Sequence, residues 1–433
     1  MLRCSISPVH GHCLLDPVSL SAINHTLRGE PLKYEKRLIW LLGITFGILF
    51  FDRNAANFLM PFIAADLHFS NQQIGLIASA LSFTWALGGL LGGAFSDRTG
   101  KRKPILIISV VAFCLCSFLS GLATSFVALF LSRLLMGLSE GPFLPVCHSL
   151  LAMESNDSER GNNMGIMQNF GSNLLGSFAA PLVLVALATA FNWRAAFFLA
   201  GLPGLVMAFL IARYVHEPKA TAHTTTASAD RLGFFAILRY RNMLVCVTMA
   251  IFMVSWMVLG WAFMPIFFMK VRQFSSGEMS ILMSILGLSA AFFSFVVPRL
   301  SDRIGRRPVM VAFNLIGVLV PIVVCYFTGP VWLLGTLIFI GWSASGTFPI
   351  FMATIPSETL PARYIATAAG MVIGIGEVLG GVSGPAIAGW AADHYGLYAP
   401  MYLEGACALV GTVLALLLVE TSPGRRSTAT AAA

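Results

Sequence analysis

Gly93-Ala-Phe-Ser-Asp97-Arg98-Thr-Gly100-Lys101-Arg102 and Pro298-Arg-Leu-Ser-Asp302-Arg303-Ile-Gly305-Arg306-Arg307 are two copies of one short loop. Each keeps a serine, an aspartate, an arginine, a glycine and a basic pair in the same order. The second copy departs in having Pro298 where the first has Gly93. Outward from the loops, Pro145 is matched by Pro349, Glu154 by Glu358, Gly176 by Gly380 and Pro181 by Pro385, each 204 residues on. Arg160 and Arg363 continue the series almost in register. Such a run of matches marks an internal duplication rather than coincidence.

The segments between the matched positions are apolar and long. Runs able to cross about 30 Å of hydrocarbon lie at 39–62, 72–96, 104–124, 126–152, 162–190, 194–214, 242–269, 278–299, 308–328, 331–354, 364–391 and 398–419. They are too continuous for barrel strands, whose faces alternate. An all-α membrane protein is therefore expected: twelve transmembrane helices in two pseudo-symmetric six-helix bundles. The division is a tail at 1–38, a bundle at 39–214, a linker at 215–241, a second bundle at 242–420 and a tail at 421–433.

Composition agrees. The chain of 433 residues is 57% hydrophobic and 11% charged, with mean hydropathy +0.81. A soluble domain carries about 25% charged residues, because its surface must stay in water. Of the 27 Lys and Arg, all but Arg53, Arg133, Arg194, Lys270 and Arg272 fall at the termini or in loops of one face. Basic excess marks the cytoplasmic side, so both termini are expected there, in a multi-pass protein of the cell membrane. The net charge of +8 then reflects topology, and scattered loop charges argue against a nucleic acid partner. Residues 1–38 show no basic stretch followed by an apolar core and a small-residue cleavage site, so no signal peptide is expected.

Several chemistries find no support. The eight cysteines form no CxxC pair, and six lie in expected spans, where a thiol fills space. No disulfide framework or metal site is expected. The absence of GxxxxGK(S/T) speaks against ATP-driven transport. No cofactor and no enzymatic activity are expected.

Ionisable residues inside spans are costly and usually functional. Here they are Asp52, Arg53, Arg133, Glu140 and Glu377, with Glu404 near a span end. Asp52-Arg53-Asn54-Ala-Ala-Asn57 lies in the first span, and Arg133-Leu-Leu-Met-Gly137-Leu-Ser-Glu140-Gly141-Pro142-Phe143-Leu-Pro145 in the fourth. Arg53 offers a planar fork matched to a carboxylate. Asn57 is one turn away on the same face and adds a donor. Asp52 and Glu140, out of water, are carboxyls placed to take up and release protons. Arg133 lies two turns from Glu140 on one face and could pair with it or steer its proton. The alternative is a static cluster that orients the two helices. In the fifth span Gln168, Asn169 and Asn173 add polar groups, for a solute or for a neighbouring helix. Asn173 and Glu377 are repeat mates and should face each other across a central cavity. Trp256, Trp261, Trp342, Phe267 and Phe348 could pack an apolar part of a solute or simply pack.

The DRxG(K/R)R loops resemble the loop motif of the major facilitator superfamily, over about residues 39–420. That resemblance implies a solute site between two rocking bundles. It also implies a conformational latch: Asp97 meeting a helix that starts near Arg363, and Asp302 one that starts near Arg160, with Arg98 and Arg303 beside them. The other reading is a solvated turn that sets topology. The Asp-Arg pair of the first span and the Glu-Gly-Pro-x-x-Pro run of the fourth resemble the anion:cation symporter family. Bacterial hexuronate carriers and animal sialic-acid carriers belong to it. The resemblance implies proton-coupled uptake of a small organic anion, with Arg53 on its carboxylate and Asp52 and Glu140 titrating. Substrate-binding residues are then Arg53, Asn57, Gln168, Asn173 and Glu377, and proton-coupling residues Asp52, Glu140 and Arg133. Glu377 departs from that family, where an uncharged polar residue is expected. Partners are the anion, protons and the lipid bilayer, with the chain expected to act as a monomer. Two alternatives stand beside this reading. One is a proton-driven exporter of drugs or amphipathic metabolites, because Arg133-x-x-x-Gly137-x-x-x-Gly141 resembles a fourth-helix pattern of such carriers. The other is a receptor on the same fold.

Overall fold

The helices of the first half start and stop on the same local chemistry as those of the second. Ser70 caps the second spanning helix in a reciprocal box with Gln73, and Ser275 caps the eighth in the same way with Glu278. Both boxes satisfy backbone N–H groups that a helix start leaves unpaired. Gly100 and Gly305 of the duplicated loops carry positive φ, 67° and 113°. A side chain is disfavoured there, so the motif glycine ends each helix.

The computed structural model describes residues 29–155, 160–217, 234–361 and 364–422. Residues 1–28 of the first tail, 218–233 of the linker, 423–433 of the second tail and Arg363 lie outside the described residues. Twelve helices are long and apolar enough to span a membrane. They are α1 (Tyr34–Asp66), α2 (Asn71–Thr99), α3 (Lys103–Gly121), α4 (Phe126–Glu154), α5 (Asn163–Ala190) and α6 (Trp193–Tyr214). The second half supplies α7 (Arg241–Lys270), α8 (Ser276–Ile304), α9 (Arg306–Tyr326), α10 (Val331–Thr359), α11 (Thr367–Tyr395) and α12 (Tyr398–Leu416). Leu90, Phe209 and Trp332 are among many large apolar side chains on the outer surface. Such a surface is stable only against lipid.

Several spans are not plain α-helix. In α4, the helix stops at Glu140 and restarts at Phe143, with Pro142 unable to donate at the break. The stretch Phe170–Ala179 of α5 is π-helical, as is Gly376–Gly381 of α11. These two overlap under the 204-residue repeat and hold the mates Asn173 and Glu377. π-Helical turns are frequent at functional sites. Hydropathy reads only apolar content, so none of these irregularities was expected.

The apolar core is continuous in one place and divided in another. Residues from Ala55 to Ile77 of the first half join one buried cluster with α7 to α12. Leu38 to Leu49, Leu106 to Cys114 and Phe143 to Leu151 form a separate cluster belonging to the first half. The halves therefore share a core toward the face opposite the duplicated loops and part toward the loop face. Polar contacts agree. Asn71 and Gln72 at the start of α2 donate backbone N–H bonds to the Asp393 carboxylate at the end of α11, at 2.8 and 2.9 Å. A Cβ at Gly75 would lie 2.1 Å from the Pro385 carbonyl oxygen, so only glycine admits this α2–α11 approach. Phe58 of α1 meets Trp261 of α7 edge-on at 5.8 Å. The structure is closed at the face opposite the loops.

At the loop face each half is braced internally. Glu217, just after α6, accepts from the N–H groups of Arg102 (2.6 Å) and Lys103 (3.0 Å) at the start of α3. Glu420, just after α12, does the same for Arg306 (2.8 Å) and Arg307 (3.1 Å) at the start of α9. Burial works against the Glu420 charge, but backbone donors of Ser422, Arg306 and Arg307 outweigh it and hold the carboxyl below the usual glutamate range. A carboxylate at a helix start meets the positive end of the dipole.

Candidate functional site

In a helix, neighbouring residues point about 100° apart, and this separates Asp52 from Arg53. Asp52 turns into the first half and is fully buried. Its Oδ1 lies 2.5 Å from the Ser117 hydroxyl of α3, which is also 2.9 Å from the Phe197 carbonyl oxygen of α6. Arg53 turns toward the space between the halves and remains 13% exposed. Its guanidinium stands over the rings of Trp85 (5.0 Å) and Phe50 (5.5 Å). A delocalised cation is favoured against such π-faces.

Glu140 reaches this space from the break in α4. A Cβ at Gly141 would fall 2.4 Å from the Gly89 backbone nitrogen and 2.5 Å from the Trp85 carbonyl oxygen. Glycine therefore lets α4 lie directly on α2. A Cβ at Gly137 would meet Thr84 Oγ1 at 2.2 Å. The Arg133-x-x-x-Gly137-x-x-x-Gly141 pattern is thus accounted for by helix packing. Glu140 Oε2 lies 3.7 Å from Arg53 Nη1, with the glutamate side chain wholly buried. This is an ion pair at a distance too long for a hydrogen bond, and neither Glu140 oxygen has a hydrogen-bond partner among the described residues.

Arg133 does not make the expected pair with Glu140. It is fully buried, donates through Nη2 to the Ser120 hydroxyl and stands 5.2 Å over the Phe197 ring. Asp52 and Glu140 both lie within its electrostatic reach. Phe197 thus touches both buried groups: its carbonyl near Asp52 through Ser117, and its ring under Arg133.

The remaining expected residues are distributed around this centre. Asn57, Gln168, Asn173 and Glu377 are half-buried. Gln168 lies beside His148 of α4. The Glu377 carboxylate lies within electrostatic reach of Arg53, and its Oε2 sits 3.1 Å from where a Cβ of Gly381 would stand, beside Ser82 of α2. The π-helical turn of α11 therefore delivers a second-half carboxylate to the first-half arginine.

The loop residues stand differently. Asp97, Arg98 and Arg303 are exposed. Asp302 pairs with Arg306 of its own half, which also binds Glu358 at 2.7 Å. The expected approach of Asp302 to the helix that starts near Arg160 is not among the described contacts. With the loop face parted, Arg306 is the nearer cation. Arg160 opens the helical stretch Arg160–Asn169. The contact expected of Asp97 falls on Arg363, outside the described residues.

Sequence reading missed four contributors. Asn54 donates to the Gly176 carbonyl oxygen at 2.9 Å, tying α1 to the π-helical turn of α5. Ser117, His148 and Asp393 are the others. Only Asn54 carried a signal, as a second amide beside Arg53; single serines, histidines and span-end aspartates are unremarkable in one sequence.

Twelve helices in two related bundles, with buried charges where the bundles meet, define a polytopic membrane transporter. The family model described as Major Facilitator Superfamily matches residues 42–373 and 245–433, and the chain belongs to that superfamily. The probable 4-methylmuconolactone transporter of Cupriavidus pinatubonensis is 26% identical over 403 residues, covering 90% of this chain and 91% of the relative. The hexuronate transporter of Bacillus subtilis is 27% identical over 417 residues, covering 89% and 94%. Among solved structures, a bacterial homologue of the human lysosomal transporter Spinster, inward-facing and unoccupied, superimposes with TM-score 0.72 at 18% identity, covering 89% and 96%.

Proposed function

We propose that this transporter carries a small organic anion, a carboxylate, inward together with protons. The observation that carries the reading is the Arg53–Glu140 pair: a partly exposed guanidinium held by a buried carboxylate at 3.7 Å, too far to consume its donors. An anion that bound the free edge of Arg53 would weaken its hold on Glu140. A proton on Glu140 offsets that loss, since an unpaired carboxylate away from water is costly. Binding of anion and proton then favour each other. Asp52 and Arg133 form a second charged layer behind the first, and Asn57 and Asn173 are amide donors for the rest of the solute.

The moving bodies in this reading are residues 39–214 and 242–420, joined by 215–241. The basic excess puts the loop face in the cytoplasm, so the conformation described here is the inward-facing one. Asp302, paired here with Arg306 of its own half, would turn to the opposite half when the loop face closes, and Asp97 would do the same. The relatives named for hexuronate and 4-methylmuconolactone support an organic anion as solute. The glycine pattern that raised the exporter alternative serves α2–α4 packing, a role that fits uptake and export alike.

Uptake of a panel of labelled acids into proteoliposomes, with and without an imposed inward proton gradient, tests the proposal. Gradient-stimulated accumulation of a carboxylate is the expected result. Accumulation that ignores the gradient, or gradient-driven extrusion of dyes instead, would overturn it.

A further inference from the structure

Glu404 takes no part in the site above, yet it is the most isolated carboxyl among the described residues. The sequence places it near a span end; the structure buries it completely in the second half. Neither carboxyl oxygen has a hydrogen-bond partner. Its Oε1 is 3.2 Å from where a Cβ of Gly260 would stand, and the Trp342 ring is 2.6 Å from the same point. The bare backbone of α7 therefore makes the room that the carboxyl and the indole share. Trp342 stacks on Trp256 at 4.3 Å. Trp256 Nε1 and Ser343 Oγ are likewise buried without partners.

Among the described residues the surroundings offer no counter-charge. From α9 the titratable group in reach is Cys325, and from α12 itself Cys407. Arg272 reaches the same end of α9, where it donates to the carbonyl oxygens of Val324 (2.9 Å) and Phe327 and not to Glu404. From α7 and α10 the facing groups are Gly260, Trp256 and Trp342, which carry no charge. The acids of α11 are engaged elsewhere, Glu377 toward Arg53 and Asp393 on α2. An ionised carboxylate in such a place would be opposed by its whole desolvation cost.

We propose that Glu404 is a proton-binding site of the second half, separate from the Asp52/Arg53/Glu140 centre and occupied by a proton in this conformation. Losing that proton requires water or a cation to reach the carboxyl, so α12 must loosen from α7 and α9, which pack on it. The proton inventory of the protein is then not set by its first half alone. The inference does not depend on which solute is carried, and its test uses none.

Infrared spectra of the purified protein in lipid, wild type minus Glu404→Gln, isolate this group. Asp52, Glu140 and Glu377 are present in both proteins and cancel. The expected difference is the carbonyl band of a protonated carboxyl, shifted in heavy water, with no carboxylate band. A difference spectrum showing the ionised carboxylate, in a folded variant, would overturn the proposal. Thermal unfolding supplies the second readout. A group held protonated in the fold contributes stability that is whole below the titration of an unfolded glutamate, about pH 4.3. That contribution declines above it until the folded group ionises, so Glu404→Gln should remove that decline from the profile. An identical profile counts against the site. Should Glu404→Gln fail to fold, Glu404→Leu replaces it with the same readouts. A neutral carboxyl in apolar surroundings should be replaceable by leucine, so failure of both variants to fold also overturns the inference.

Discussion

Around the midplane of the first half, α1 and α4 gather two arginines and two carboxylates. Under the 204-residue repeat the corresponding positions of the second half hold Trp256, Met257, Leu337 and Ala344. The framework was copied faithfully: serine caps, motif glycines, the glutamates after α6 and α12, and the π-helical turns of α5 and α11 all recur. The charges were not. A framework is fixed by helix ends and close approaches, which both halves need to rock against each other. In the proposed function a charged cluster is needed once, for a single anion site between the halves. The second half contributes Glu377 to that site and keeps Glu404 apart, in an aromatic setting.

The largest test of this asymmetry is Arg53→Lys. Lysine keeps the charge but loses the planar fork, so affinity for the anion should fall by an order of magnitude or more with insertion unaffected. Equilibrium binding to purified protein measures it. Near-normal affinity would move the anion site out of the first half.

Glu140→Gln fixes a neutral side chain beside Arg53. Accumulation against a gradient should stop, while exchange of labelled for unlabelled solute continues, because exchange needs no net proton release. If the variant still concentrates solute under a proton gradient, coupling belongs to another carboxyl, Asp52 first.

Glu377→Gln asks whether the second half shapes the solute or only encloses it. For a simple anion, an ionised Glu377 near Arg53 repels the solute, so wild-type affinity should fall as pH rises. The Gln variant should bind with a flatter pH profile and similar affinity at low pH. For a solute that also carries a cationic group, the variant should lose binding at every pH. An unchanged profile with unchanged affinity would confine the site to the first half.

The smallest effect is expected at Asp393, whose carboxylate caps α2 across the closed face. Removing a carboxylate from a helix start costs roughly 1 kcal/mol, about a fivefold shift in a two-state equilibrium. Asp393→Asn should increase labelling of a cysteine placed at the buried Ala388 of α11, on the same closed face, by that order. No increase would mean the closed face rests on apolar packing alone.

Much of the architecture was legible in the sequence because its causes are local. Spans are read from apolar length, and the loop glycines from a helix end that needs positive φ. Duplication shows as matches at a constant offset. The candidate charges were also legible, since an ionisable residue among twenty apolar ones stands out. What each charge does was decided in three dimensions. Adjacent Asp52 and Arg53 diverge by a helix's angular step, one into the core and one toward the other half. Arg133, which could have paired with Glu140, goes instead to the Ser120 hydroxyl and the Phe197 ring, which α3 and α6 offer. Asp302 takes Arg306 because the loop face is parted. Glu404, unremarkable at a span end, becomes an isolated buried carboxyl because Gly260 of α7, 144 residues earlier, leaves room for it. Sequence spacing gives direction along one helix; only the packing of several helices supplies partners, and partners decide whether a buried group is charged, neutral or bound.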